Sequence, residues 1–171
     1  MNINGNNGKY NLKQVWRRKL KEITKKRIKI IGWVLFYIYI LLLSYFLFFS
    51  ERYGRDLVTQ QYNLHLFKEI KRFIKYREQI GFEGFIVNIF GNVIAFMPYG
   101  FLLPLLNKVY RKFYIIVILS FIFSLVIETA QLLLKVGVFD VDDILMNSLG
   151  GILGYLIFWL IHSIFKSKEH R

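Results

Sequence analysis

The sequence predicts an all-α, polytopic membrane protein with four transmembrane helices, an amphipathic helix on the outer surface and a basic N-terminal arm. Three observations support this fold class. The 171 residues are 55% hydrophobic and 18% aromatic, which is more apolar than an ordinary soluble domain. Four windows are each apolar over about 20 residues, the length that crosses a bilayer as a helix. The basic residues are concentrated in the segments that would lie on one side of these windows.

The first 29 residues form the predicted cytoplasmic arm. They contain ten basic residues and one acidic residue, Glu22. An excess of Lys and Arg keeps such a segment on the cytoplasmic side of a membrane. The spacing of Trp16, Leu20 and Ile23 fits an interfacial helix, and a solvated positive flank fits the same residues equally well. A nucleic-acid contact is the weaker interpretation of this arm, because the positive charge is already accounted for by membrane topology.

The remaining boundaries follow from the apolar windows. The first window ends without a signal-peptidase site, which indicates an uncleaved anchor. Four crossings place sixteen basic residues on the cytoplasmic side and eight on the other side, so we expect both termini in the cytoplasm. A cytoplasmic tail follows the last span. The predicted segments are an arm at 1–29, a membrane domain at 30–165 with spans near 30–50, 85–106, 113–134 and 144–165, and a tail at 166–171.

The segment between the first two spans is not featureless. Residues 64–78 repeat apolar side chains at helical spacing, with Lys and Arg interleaved between them. This pattern predicts an amphipathic helix that rests on the outer membrane surface. A short soluble helix that caps the helix bundle is the alternative.

The second and fourth predicted spans contain features that affect packing. Proline removes a backbone donor, so Pro98 should kink the second span or end a segment of it. Small residues four positions apart allow two helix backbones to approach closely in lipid. The second span has Gly91 and Ala95 at this spacing, and the fourth has Gly150 and Gly154. We therefore expect these two spans to touch.

Polar residues inside the predicted spans fall at one depth, near the outer surface. A carboxylate on a transmembrane helix costs several kcal/mol unless it is paired or faces a wet cavity, which makes Glu128 a candidate functional residue. Gln131 shares its helix face. Asn88 and Asn92 lie on one face in the outer half of the second span, and Asn147 lies one turn inside the fourth. The sequence predicts that these side chains converge.

Three aspartates precede the fourth span. A carboxylate at a helix N-terminus is a good cap and is favourable by about 0.3–1 kcal/mol, but one is enough for that role. Asp140, Asp142 and Asp143 together with Glu128 make four carboxylates, with Lys135 as the local counter-charge. Their repulsion requires protonation, Arg or Lys from the external segment, a divalent cation or a cationic substrate. The cluster therefore predicts a site and not a cap alone.

Three stretches of the chain form an ordered pattern of polar, proline and glycine residues. They are "YNLHLFKEIKRFI", "NIFGNVIAFMPYGFLLPLL" and "SLVIETAQLLLKVGVFDVDDILMNSLGGILGY". The residues of the pattern are Asn63, Leu64, Phe67, Asn92, Phe96, Pro98, Gly100, Phe101, Leu102, Pro104, Glu128, Gln131, Asp140, Asp142, Asp143, Asn147 and Gly150. Along roughly residues 62–158 the chain thus resembles the VanZ-like family of small bacterial membrane proteins. It departs from the family pattern at Leu66, where proline is usual, and in "KVGVF" before the aspartates, where many members have an arginine.

The resemblance implies a protein of the bacterial plasma membrane and a link to reduced susceptibility to teicoplanin-type glycopeptide antibiotics, which bind cell-wall precursors outside the membrane. Expected partners are membrane lipids and a lipid-linked wall precursor or the antibiotic itself, and no nucleic acid. Three function classes remain open. They are a cell-envelope protein acting at the outer leaflet on lipids or lipid-linked precursors, an enzyme acting on a lipid headgroup, and a small proton-linked transporter.

The candidate site residues divide by role. As an enzyme, the protein would use Glu128, Asp142 and Asp143 for acid and base catalysis, or as ligands of a divalent cation, because hard cations prefer oxygen. That cation is the one cofactor the cluster predicts. The chain contains no cysteine, which excludes disulfides and thiolate chemistry. The candidate ligand-binding residues are Asn63, Asn88, Asn92, Gln131, Asp140 and Asn147.

Overall fold

The computed structural model describes residues 12–49 and 62–169, with the backbone alone described at 12–14, 77, 80, 82–89 and 167–169. Every long element in these ranges is a helix, which confirms the all-α prediction. A 3₁₀ turn at Lys108–Arg111 connects the third and fourth helices. The helices are α1 Leu12–Phe49, α2 Lys68–Lys75, α3 Arg77–Leu106, α4 Phe113–Leu133 and α5 Val141–Glu169, and the strands are β1 Tyr62–Asn63 and β2 Phe139–Asp140.

Several helices have the length and composition of membrane spans. Among the described residues, three are long and apolar enough to cross a bilayer, over Val15–Phe49, Phe113–Leu133 and Val141–Lys166. This is the arrangement of a multi-pass membrane protein. The span predicted near 85–106 corresponds to a shorter apolar stretch, Phe90–Leu106, at the end of α3. A fourth crossing therefore stays a prediction.

The N-terminal arm and the first span form one helix. The helix α1 runs without a break from Leu12 to Phe49, through the boundary predicted at residue 30. Every side chain from 15 to 30 is exposed, and buried contacts begin at Phe36. The basic arm therefore extends the axis of the first span.

The helix α3 does not end at the proline where a kink or an end was predicted, and a kink at Pro98 stays a prediction. The helix continues through Pro98 and Pro104 to Leu106, so the prediction that a segment ends at Pro98 is wrong. Proline is tolerated in membrane helices where neighbouring groups satisfy the freed carbonyl. The backbone leaves helical geometry at Gly81, with φ 78° and ψ 159°, values that glycine adopts without a steric penalty.

The helices α3 and α5 share the most extensive helix contact of the described residues. A Cβ atom at Gly150 would lie 2.3 Å from the Val93 carbonyl oxygen, and one at Gly154 would lie 1.9 Å from that of Met97. The predicted contact between the second and fourth windows is therefore present, and both α5 glycines are part of it. Ala95, the partner predicted on α3, packs against a cluster that contains Leu43 and Leu47 of α1, and its contact with α5 stays a prediction.

Two short strands position the site. In β1, Tyr62 pairs in parallel with Phe139 of β2, and Asn63 pairs with Asp140. This pairing fixes the chain before α2 against the start of α5. The helix α2 occupies part of the predicted 64–78 segment, and its membrane-surface position stays a prediction. The largest buried cluster lies towards the other end of the helices and contains Phe36, Tyr99, Leu103, Leu106, Ile116, Tyr155 and Phe158.

Candidate functional site

A carboxylate cluster forms where α4 ends and α5 begins. The backbone N–H of Asp140 donates to Oε2 of Glu128 at 3.1 Å. The backbone N–H of Asp142 donates to Oδ1 of Asp140 at 2.8 Å, so Asp140 caps α5. Glu128 is 2% exposed and Asp142 1%. The structure thus brings these three predicted residues together through direct contacts with the short β2 strand.

Asp142 holds the start of α2. Its Oδ2 accepts the backbone N–H groups of Glu69 at 2.9 Å and of Ile70 at 3.4 Å, and its Oδ1 accepts that of Phe67. The first N–H groups of a helix have no partner within the helix, and an anion there is favoured by the helix dipole. Phe67 has a left-handed backbone with φ 63°, which turns the chain into α2. Asp142 therefore caps α2, although the sequence places Asp142 at the start of α5.

Asn63 connects β1 to the cluster. Its Nδ2 lies 3.2 Å from both carboxylate oxygens of Asp140, and its Oδ1 accepts the backbone N–H of His65 at 3.3 Å. Asn63 is 5% exposed. Its predicted ligand-binding role stays a prediction, since the contacts shown here order the segment that leads to α2.

The other predicted amides separate into two groups. Asn92 belongs to the carboxylate cluster, because its Nδ2 donates to Oδ1 of Asp143 at 2.7 Å. Gln131 donates instead to the carbonyl of Leu47 in α1 at 3.1 Å. The side chain of Asn88 lies outside the described residues. Gln131 therefore joins α4 to the last part of α1.

The predicted ligand-binding residue Asn147 lies at a polar seam between α4 and α5. Its Nδ2 donates to Oγ of Ser124 at 2.9 Å. Asn147 is 1% exposed, and both Ser120 and Ser124 are 0% exposed. Among the described residues, Oδ1 of Asn147 and the hydroxyls of Ser120 and Ser148 have no hydrogen-bond partner. Buried polar atoms of this kind are the ones that internal water satisfies.

Two residues of α2 belong to the site and were not predicted. Arg72 Nη2 lies 2.6 Å from Oε2 of Glu69, whose side chain is 19% exposed. Their spacing of three on a helix favours such a pair, but the sequence alone does not place it over the aspartates. Arginine from the external segment was one of the predicted ways to relieve repulsion. The structure shows it in contact with Glu69, a fifth carboxyl group.

Burial sets the electrostatics of the groups outside the spans. Burial raises the pKa of Asp140 above its ordinary value, while hydrogen bonds from Asp142 and Asn63 and the charge of Arg72 oppose the shift. The pKa of Glu69 is likewise raised by burial, against the opposing charge of Arg72. The charges of Asp140 and Asp142 add to this rise. Asp140 and Glu69 therefore hold their protons more tightly than free carboxyl groups do.

The described residues form no preformed binding site for the predicted divalent cation. In the part of the chain that the structure describes, no group of three His, Cys, Asp or Glu side chains is arranged to hold a metal ion. Asp142 directs both carboxylate oxygens at backbone N–H groups. The cation stays a prediction, and Glu128 and Asp143 are the carboxylates with the fewest N–H contacts to give up.

The fold and the site define a multi-pass helical membrane protein with a buried carboxylate cluster at one end of its helices. The model of the VanZ/LLP1 family matches residues 36–162, and the chain belongs to this family. Protein VanZ of Enterococcus faecium is 31% identical over 81 residues, which cover 46% of this chain and 48% of that protein. The chain thus matches about half the length of this relative. No solved structure matches the chain. The resemblance to the VanZ-like family is therefore confirmed.

Proposed function

We propose that this protein acts in the bacterial cell envelope, at the outer leaflet of the plasma membrane, on lipids or lipid-linked wall precursors. Through this action it lowers susceptibility to teicoplanin-type glycopeptides, the property linked to its family. One observation carries the proposal. Among the described residues, five carboxyl groups lie close to the point where α4 ends and α5 begins. Asp140 and Asp142 cap helices, but Glu128 and Asp143 do not, and because carboxyl groups are costly beside a membrane, a functional use explains these two better than packing does. The five groups are Glu69, Glu128, Asp140, Asp142 and Asp143.

The strand pairing supports an outer location for this cluster. Because β1 pairs directly with β2, the chain leaves and returns to the same side of the membrane between Asn63 and Phe139. If α4 crosses once, α3 must cross back. Together with α1 and α5 this gives four crossings, and the basic arm keeps both termini in the cytoplasm. The carboxylate cluster then faces the outside.

The chemistry around the cluster suits a headgroup that carries both phosphate and hydrogen-bond donors. The exposed cations of α2 include Lys71, Arg72 and Lys75. Asp142 accepts a backbone N–H at the start of this helix, which places α2 beside the buried carboxylates. A phosphate would meet these cations first. Amino or hydroxyl groups of the same headgroup would then reach Asp143 and Glu128.

An enzyme is the second candidate, and the positions of two carboxyl groups on different helices favour it. Glu128 on α4 accepts the backbone N–H of Asp140, and Asp143 on α5 accepts a side-chain N–H of Asn92, so one cluster holds carboxyl groups from two helices. A pair of this kind can divide the roles of general acid and general base. The reaction would then be hydrolysis or transfer at a lipid headgroup.

The test of the proposed function uses near-isosteric variants that remove charge. We expect Glu128→Gln and Asp143→Asn to return the teicoplanin minimum inhibitory concentration to that of the host alone, because each removes a carboxylate and keeps its shape. An immunoblot of membranes should show unchanged abundance. Glu22→Gln is the matched control, since Glu22 is an exposed carboxylate on the arm. Full resistance in both site variants would refute the proposal.

A second measurement separates the two candidates. Purified protein is incubated with bacterial lipid extract and divalent ions, and the lipids are analysed by mass spectrometry. A new lipid species that disappears with Glu128→Gln identifies an enzyme. An unchanged lipid profile, together with loss of resistance in the same variant, assigns the site to binding.

A further inference from the structure

The end of the helices opposite the carboxylate cluster holds an arginine in a fixed position. Arg111 donates through Nε to the carbonyl of Pro104 at 3.2 Å, and its guanidinium carbon lies 5.8 Å from the ring centre of Phe158. Its Nη1 lies 3.5 Å from Nε2 of His162. The hydroxyl of Tyr155 donates to its backbone carbonyl at 2.7 Å. Four contacts thus hold both its backbone and its guanidinium.

Other cations lie near this arginine in the described part of the chain. Lys108 and Lys112 flank it in the connection between α3 and α4, and both are exposed. Lys166 follows His162 by one turn of α5, on the same face of that helix. The sequence contains no Asp or Glu at 104–116 or at 155–166. The positive charge at this end is therefore not neutralised by carboxylates from either segment.

The surroundings are those of a membrane interface. Tyr114, at the start of α4, is 57% exposed, and Trp159, near the end of α5, is 56% exposed. Tyrosine and tryptophan are enriched at the level of lipid headgroups. Lys112 lies over the ring of Tyr114 at 5.9 Å. Arg111 therefore lies where the phosphate of a lipid would be found.

We propose that Arg111, with Lys108, Lys112 and Lys166, binds the phosphate of an anionic phospholipid in the leaflet opposite the carboxylate cluster. Basic pockets between membrane helices on the cytoplasmic side are suited to such headgroups. A guanidinium that is already held by Pro104 and Phe158 loses little freedom when a phosphate binds it. The site is independent of the outer-leaflet function and uses none of its residues.

The test measures binding of soluble short-chain lipids to the full-length protein in neutral detergent. We expect dihexanoyl phosphatidylglycerol to raise the unfolding temperature and to appear as a bound adduct in native mass spectra. Dihexanoyl phosphatidylcholine and inorganic phosphate should do neither to the same extent. Arg111→Gln should weaken phosphatidylglycerol binding about tenfold, the size expected for a lost charge-assisted contact. Lys25→Gln, which removes an exposed charge from α1, should leave binding unchanged.

A second variant guards against a folding defect, because Arg111→Gln also loses the contact to Pro104. The double variant Lys112→Gln with Lys166→Gln keeps the described contacts of Arg111 and should still weaken phosphatidylglycerol binding severalfold. Undiminished binding in both variants would overturn the proposal. Equal effects of phosphatidylglycerol and phosphatidylcholine would do so as well. An equal effect of inorganic phosphate would replace the lipid with an unspecific anion site.

Discussion

At the scale of single residues, the adjacent aspartates Asp142 and Asp143 have different hydrogen-bond partners and different structural roles. Asp142 accepts backbone N–H groups at the start of α2, including that of Glu69 at 2.9 Å. Asp143 accepts a side-chain N–H from Asn92 at 2.7 Å. The first contact begins a helix, and the second joins two side chains. Among the hydrogen bonds of the described residues, those of Asp142 therefore stabilise α2, whereas that of Asp143 does not involve α2.

This difference predicts that replacing each aspartate by asparagine has a different effect on the free energy of unfolding. Asp142→Asn should lower the free energy of unfolding by about 1–3 kcal/mol, because the amide has one acceptor oxygen and turns an NH₂ group towards backbone donors. Asp143→Asn should leave it nearly unchanged, since an amide oxygen still accepts from Asn92. Thermal unfolding in detergent measures both. Equal unfolding temperatures for the two variants would contradict the assignment of Asp142 as the cap of α2.

At the scale of elements, the sequence located the helices better than it located their ends. The helix α4, Phe113–Leu133, matches the window predicted at 113–134, because charged residues precede a long and mostly apolar run. The helix α2 begins at Lys68 and not near residue 64. Its start depends on Asp142, which lies 73 residues away from Glu69 along the chain. Periodicity within a segment contains no information about a distant cap.

The prolines of α3 illustrate the same limit. Proline lacks an N–H group, which is a local fact, but whether the helix ends at Pro98 depends on how its neighbours satisfy the freed carbonyl. The backbone departs from helical angles at Gly81 instead. Glycine permits a positive φ at no steric cost, and such a residue between α2 and the apolar part of α3 lets their directions differ. The sequence shows this freedom without showing its use.

The contact between α3 and α5 predicts a strong effect of one methyl group. Gly154→Ala should lower the free energy of unfolding by about 1–3 kcal/mol, because the new Cβ would lie 1.9 Å from the Met97 carbonyl oxygen. Gly32→Ala is the matched control, since its Cβ would meet only the flexible end of Leu106. Unfolding temperatures in detergent compare the two. A tolerated Gly154→Ala would show that the helices are further apart than in this structure.

At the scale of the whole molecule, charge is separated along the helix axes. The carboxylates lie where α4 ends and α5 begins, while Arg111 and its lysines lie where α4 begins and α5 nears its end. The sequence predicted the group of Glu128, Asp140, Asp142 and Asp143, because carboxylates beside apolar windows are conspicuous. It did not predict Glu69 or its partner arginine, since folding alone brings α2 over the start of α5. Local pattern identified the acidic side of the site, and long-range contacts completed it.

The path of the chain across the membrane follows from two lengths and one pairing. The helix α4 is about 32 Å long, and the apolar stretch Phe90–Leu106 is about 26 Å long, at 1.5 Å per residue. The first length crosses about 30 Å of hydrocarbon, and the second reaches nearly as far. The parallel pairing of Asn63 with Asp140 requires an even number of crossings between them. Two crossings would satisfy the pairing and both lengths, so we expect α3 and α4 each to cross once, and this path stays a prediction.

Single cysteines test this path in a chain that has none of its own. We expect Leu64→Cys and Leu134→Cys to react with an impermeant thiol reagent in intact cells, because both positions are exposed at the end that carries the carboxylates. Lys108→Cys should react only after the membrane is opened, since two crossings place the connection between α3 and α4 inside. Labelling of all three positions in intact cells would mean that neither α3 nor α4 crosses. Labelling at Leu134 alone would separate the two paired strands and contradict the fold itself.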